Sequence, residues 1–167
     1  MIDILFVLKH RYFYDGGGYD GAPSEKQAIP DASKPYSTEL NSGMLNSVRL
    51  VAEMLNGFGI STAYEIVIDG NDINRVVTQH RPKIVIIEAL WVTTEKLAEL
   101  QRIHPLVKWV LRIHSEIPFL TNEGIAIDRI ANGAKIPNVS VAANSQRAAE
   151  SLKVIDDNIK LLPNYYP

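Results

Sequence analysis

Ile84-Val85-Ile86-Ile87 opens a stretch that runs to Ile117 and reads as strand, helix, strand and loop. Four consecutive branched residues suit a strand buried on both faces. Thr93 or Thr94 can cap the helix that follows, and Leu97, Leu100 and Ile103 continue it at helical spacing. Trp109-Val110-Leu111-Arg112-Ile113 is the next strand, and it gives way to His114-Ser115-Glu116-Ile117-Pro118, read as a polar loop. Parallel sheets bind ligands beyond the carboxyl ends of their strands. A working site in this chain is therefore expected to include His114.

The same pattern extends in both directions. Upstream, Ile2 to Leu8 is a first strand, Asn41 to Leu55 a helix, Ala63 to Ile68 a strand, and Asp72 to Arg81 a helix closed by Pro82. Met44, Leu45, Val48, Val51, Ala52 and Leu55 form the apolar stripe of the first helix, with Asn41 or Ser42 as its cap and Gly57 as its left-handed stop. Downstream, Asn122 to Asn132 reads as a helix with Asn132-Gly133 as its stop. Asn138 to Ala143 is a strand, Asn144-Ser145 caps a helix to about Val154, and Lys160-Leu161-Leu162 is a last strand. Strands alternating with helices imply an α/β, Rossmann-like three-layer domain with a mostly parallel sheet of about six strands, over residues 1–162. Residues 163–167 read as the start of a linker.

Bulk properties remove several function classes. The 167 residues suffice for one domain with a full core. A formal net charge of -2 gives no overall grip on nucleic acid or anionic lipid. With no cysteine, thiolate metal sites, disulfides and cysteine nucleophiles are ruled out, which fits a cytoplasmic protein. Met1 to Leu8 is too short to span a membrane and lacks the basic flank of a secretory signal.

The irregular stretch from Tyr12 to Leu40 is long for a compact domain and contains Gly16-Gly17-Gly18. Glycine lets a backbone approach a ligand, so these three are candidate binding residues beside the alternative of a plain loop tip. Gly16, Gly18 and Gly21 also satisfy a dinucleotide-binding spacing. That motif belongs directly between a strand and a helix, whereas here Pro23, Pro30 and Pro35 intervene, so no cofactor is expected. Glu88 and Trp91 stand at the end of the central strand, where they either contact a ligand or serve packing. Glu116 is the carboxylate nearest His114 in sequence, giving a conceivable acid/base pair. Asn144 and Ser145 are a helix cap or an anion contact. His80 and His104 have no carboxylate or histidine at ligand spacing, so no metal site is expected.

Several segments together resemble the N-terminal, acceptor-side domain of the two-domain, B-type glycosyltransferases, nearest the large retaining family that uses nucleotide sugars. They are the first strand leading to Gly16-Gly17-Gly18, the helix ending at Gly57-Phe58-Gly59-Ile60, and His80-Arg81-Pro82-Lys83-Ile84-Val85-Ile86-Ile87-Glu88-Ala89-Leu90-Trp91. Val110-Leu111-Arg112-Ile113-His114-Ser115, Val139-Ser140-Val141-Ala142-Ala143-Asn144-Ser145-Gln146 and Ile159-Lys160-Leu161-Leu162-Pro163-Asn164 complete the set. The likeness lies in order and spacing over nearly the whole chain. It departs from the family at Lys83, where aspartate is common, at Phe58, and in the distance of the glycine loop from the first strand. The resemblance implies that His114 lies near the transferred sugar as the catalytic candidate. Gly16, Gly17, Gly18, Glu88, Trp91, Ser115, Glu116, Asn144 and Ser145 are the candidates for substrate binding. It implies as partners a nucleotide-sugar donor and a sugar acceptor, held in a cleft with a C-terminal domain that these residues do not include. The chain is then expected to be inactive alone. The alternative is a self-standing Rossmann-like module that binds a small molecule or a partner without catalysis.

Overall fold

Apolar runs become strands here because both sides of the sheet are covered. The computed structural model describes residues 1–10, 43–122 and 124–167. Its elements in chain order are β1 (Ile4–Lys9), α1 (Gly43–Gly57), β2 (Thr62–Val67), α2 (Asp72–His80), β3 (Ile84–Glu88), α3 (Thr94–Ile103) and β4 (Lys108–Ile113). Then follow α4 (Ile117–Asn122), α5 (Ala126–Gly133), β5 (Val139–Ala143), α6 (Gln146–Leu152) and β6 (Lys160–Leu161). Among the described residues the strands form one six-stranded sheet in the order β2-β1-β3-β4-β5-β6, and every pairing is parallel. The fold is thus α/β, Rossmann-like and three-layered.

The side-chain alternation of each strand divides the core in two. On one face Leu5, Val7, Val85, Ile87, Trp109, Leu111, Ile113 and Val141 pack against Ile73 and Val76 of α2, Leu97 and Leu100 of α3, Leu120 of α4, Ile130 of α5 and Leu152 of α6. On the other face Phe6, Leu8 and Ile86 pack against Val48 and Val51 of α1. The chain winds from β1 outward to β2 on one side and through β3 to β6 on the other. The direction of winding reverses between β1 and β3, the switch point where doubly wound sheets open their crevice at the carboxyl ends.

The structure corrects several local readings. The helix expected from Asn122 to Asn132 is α5, which starts later, at Ala126, and a separate helix, α4, begins inside what reads as a loop. Pro118 is the second residue of α4, in the first turn, where a missing N–H costs nothing. Gly57 stays helical, and the left-handed turn falls on Gly59 at φ 79°. α5 does end at Gly133, as the sequence suggests. Gly133 is helical and lies so close to β4 that an added Cβ would meet Leu111 Cδ1 at 3.0 Å. Thr93 caps α3 and Ser145 caps α6, each accepting a backbone N–H at 3.2 Å. The stretch from Tyr12 to Leu40, with Gly16, Gly17 and Gly18, lies outside the described residues.

Candidate functional site

β3 and β4 pair in a register that sets Glu88 directly beside Arg112. Both side chains point to the α1 face, and both are 0% exposed. A charge taken out of water costs several kcal/mol unless partners replace the lost hydration. Each of these has such partners. Arg112 Nη1 donates to Glu88 Oε1 at 3.1 Å and to Oε2 at 3.5 Å. Its Nε donates to the Leu162 carbonyl at 3.0 Å, and its Nη2 donates to the Pro163 carbonyl at 3.0 Å and to Asn164 Oδ1 at 2.7 Å. Asn164 Oδ1 also accepts from Ser47 of α1 at 2.7 Å. One planar guanidinium therefore binds the end of β3, the segment after β6 and, through Asn164, the helix on that face.

His114 follows β4 at the carboxyl end of the sheet, two residues beyond Arg112 and so on the same side. Its Nε2 donates to Glu88 Oε2. Its Nδ1 faces Asn144 Nδ2, which donates to it at 3.4 Å. The side chain is 15% exposed, so the ring is largely but not wholly enclosed. In the neutral ring this arrangement fixes the tautomer. Nε2 carries the proton given to Glu88, and Nδ1 is left as an acceptor. The contact from Asn144 is long enough to yield to a better donor.

The chain turns sharply where β3 ends. Ala89 has φ 69°, a left-handed conformation that costs a residue with a Cβ about 1–2 kcal/mol. Three bonds hold that turn. The Ala89 N–H donates to the Arg112 carbonyl at 2.8 Å, the Trp91 indole N–H donates to the Glu88 carbonyl at 2.8 Å, and Arg129 Nη1 donates to the Leu90 carbonyl. Backbone strain that is over-determined in this way is characteristic of functional sites.

The remaining candidates separate. Asn144 joins His114, and Ser115 is half-buried at the turn after β4. Glu116 turns away from His114 and binds Arg147, whose Nε donates to Oε1 at 2.9 Å. That carboxylate raises the Arg147 guanidinium further above its ordinary value. The acid/base pair imagined for His114 and Glu116 is therefore replaced by His114 and Glu88. Glu88 is enclosed, so it reaches any ligand only through His114. Trp91 is half-buried against the core of the α2–α6 face, with its indole N–H used at Glu88. Ser145 spends its hydroxyl on the α6 cap. His80, read as having no carboxylate or histidine at ligand spacing, meets Glu65 Oε1 at 2.7 Å across α2 and β2. Among the described residues, no three histidine, aspartate or glutamate side chains converge as a metal site would require.

Arg112 is the residue of this cluster that sequence reasoning passed over. Its signal was a single arginine inside an otherwise apolar strand, which a buried strand admits only with a partner. Nothing in the sequence marked Ser47 or Asn164. Comparison with known proteins found no matching family model, no matching curated protein and no matching solved structure. No helix among the described residues is long and apolar enough to cross a membrane.

Proposed function

We propose that this domain is the acceptor-side half of a nucleotide-sugar-dependent, B-type glycosyltransferase, with His114 as its catalytic residue, acting in the cytoplasm. The observation that carries the reading is the convergence of four separate segments on one hydrogen-bonded cluster. These are Glu88-Ala89-Leu90-Trp91, Arg112-Ile113-His114-Ser115, Ala143-Asn144-Ser145 and Leu162-Pro163-Asn164, the pieces whose order carries the likeness to that family. They meet at the carboxyl end of a parallel sheet, where such folds bind their ligands.

On this reading His114 Nδ1 accepts a hydrogen bond from a sugar hydroxyl in exchange for the long contact with Asn144. Glu88 keeps the ring oriented, so the acceptor nitrogen is in place before substrate arrives. A preorganised group of this kind acts without rearrangement as charge develops on the transferred sugar. A donor-binding domain closing over this end of the sheet would exclude water and align the two substrates.

The test is a screen of nucleotide sugars against the full gene product and its His114→Ala variant. We expect the wild type to consume at least one donor, and the variant to lose on the order of 100-fold in kcat/KM with its fold intact. A full gene product that binds small molecules but consumes no nucleotide sugar, with or without added acceptors, would instead be a binding module.

A further inference from the structure

We infer that Arg112 is a positioning residue that couples the seating of the Leu162–Asn164 segment to the orientation of His114, through Glu88. The inference does not depend on which ligand the site takes, because it concerns contacts within the domain.

The Arg112 guanidinium is planar and rigid, and its donors are fixed relative to one another. Nε and Nη2 are spent on the segment after β6, at Leu162 O, Pro163 O and Asn164 Oδ1. Nη1 is spent on Glu88. Arg112 is wholly buried, so no solvent is at hand to replace an acceptor that moves. If the segment shifts by about 1 Å, two or three buried donors lose their partners unless the whole plane turns with it. A turn of the plane withdraws Nη1 from Glu88. Glu88 is equally enclosed, and its other hydrogen-bonded side chain is His114. The carboxylate must then reorient, and the ring it holds moves with it.

Two further contacts give the segment a discrete seat. Leu162 packs in the apolar cluster under α1, and its N–H donates to the Ala143 carbonyl at 2.9 Å. Ser47, only 1% exposed on α1, donates to the same Asn164 oxygen that Arg112 uses. The seat is thus shared by α1, β4 and β5. A chain segment moving at this point is reported at His114 over a path of three side chains, every one of them hydrogen-bonded to the next. In an enzyme whose second domain followed Asn164, this path would link domain position to the readiness of the catalytic ring.

The experiment is a pair of nuclear magnetic resonance readings on the intact protein and its Asn164→Ala variant. One reading is the exchange rate of the Leu162 amide. The other is the imidazole nitrogen and carbon-bound proton shifts of the histidines, with His114 assigned by its loss in His114→Gln. Asn164→Ala removes the shared acceptor and leaves the Glu88–Arg112 pair intact. We expect Leu162 to exchange about tenfold faster or more. We also expect the His114 ring signals to shift or broaden, while those of His80 and His104 stay in place as controls for the fold. Faster exchange at Leu162 with unchanged His114 signals would overturn the coupling. Unchanged exchange at Leu162 would overturn it too, because the segment would then not be held by this contact. Should Asn164→Ala fail to fold, Ser47→Ala supports the same two readings with the same two outcomes.

Discussion

Two arginine–glutamate pairs lie close to His114, and they differ in depth. Arg112 and Glu88 are both 0% exposed, whereas Arg147 and Glu116 are 77% and 39% exposed. Both are guanidinium–carboxylate contacts. Water competes for the outer pair, screens it, and leaves both side chains free to part, so it contributes little. The inner pair has no such alternative. Each member depends on the other and on the carbonyls and ring around them. A buried ion pair is poor evidence for stability in its own right, since apolar residues of similar size often serve as well. The difference between the pairs therefore argues that Glu88 and Arg112 are there to hold something in place. His114 on one side and the Leu162–Asn164 segment on the other are what they hold.

The contrast is most sharply exposed by breaking the inner pair. Arg112→Leu strands the Glu88 carboxylate in the core and should lower stability by about 3–5 kcal/mol in urea unfolding. Glu88→Leu with Arg112→Leu should recover much of that loss, because no unpaired charge remains. A double variant as unstable as the single one would mean that the pair is needed for the fold itself.

Ser145→Ala tests a neighbour that is near the cluster in space but structural in role. Loss of the α6 cap should cost about 1 kcal/mol. It should leave the affinity for any ligand of the site unchanged by isothermal titration. A large affinity loss with unchanged stability would restore Ser145 as a binding residue.

A smaller effect is expected at His104, whose ring donates to Asn74 Oδ1 at 2.8 Å and lies 6.4 Å from the Trp109 ring. Burial lowers its pKa below the ordinary value of 6.5. The unfolded ring therefore takes up a proton at a higher pH than the folded one. Below 6.5 the unfolded state binds more protons, so His104 makes stability fall as pH falls through that value. Thermal unfolding across this range should show a shallower decline in His104→Asn than in the wild type. The smallest effect belongs to the outer pair. Arg147→Ala should leave the midpoint of unfolding unchanged, and a clear drop would show that exposure is not what separates the two pairs.

The difference in depth also explains what could be read from the sequence. Ile84 to Ile87 and Trp109 to Ile113 were legible as strands because continuous branched residues have few other uses. Thr93 and Ser145 were legible as caps because the chemistry of capping is local. His114 at a strand end was legible for the same reason. Its partner was not. Glu116 is nearest in sequence, but Glu88, 26 residues away, is the carboxylate on the ring. Only the parallel register of β3 and β4 brings Glu88 alongside Arg112 and under His114, and no local pattern encodes that register. Pro118 misled for a related reason. Proline ends helices from within but begins them readily, and which applies depends on where the strand before it releases the chain. Asn164 acquires its role from Arg112 and Ser47, 52 and 117 residues away.

The central claim is that Glu88 holds His114 through Nε2 and leaves Nδ1 as an acceptor facing Asn144. It is tested most directly by the long-range nitrogen–proton spectrum of the His114 ring in the wild-type protein, recorded at mildly alkaline pH. The account predicts a proton fixed on Nε2, with a cross-peak pattern that Glu88→Gln alters. A neutral ring carrying its proton on Nδ1, or exchanging freely between the two nitrogens, would contradict it.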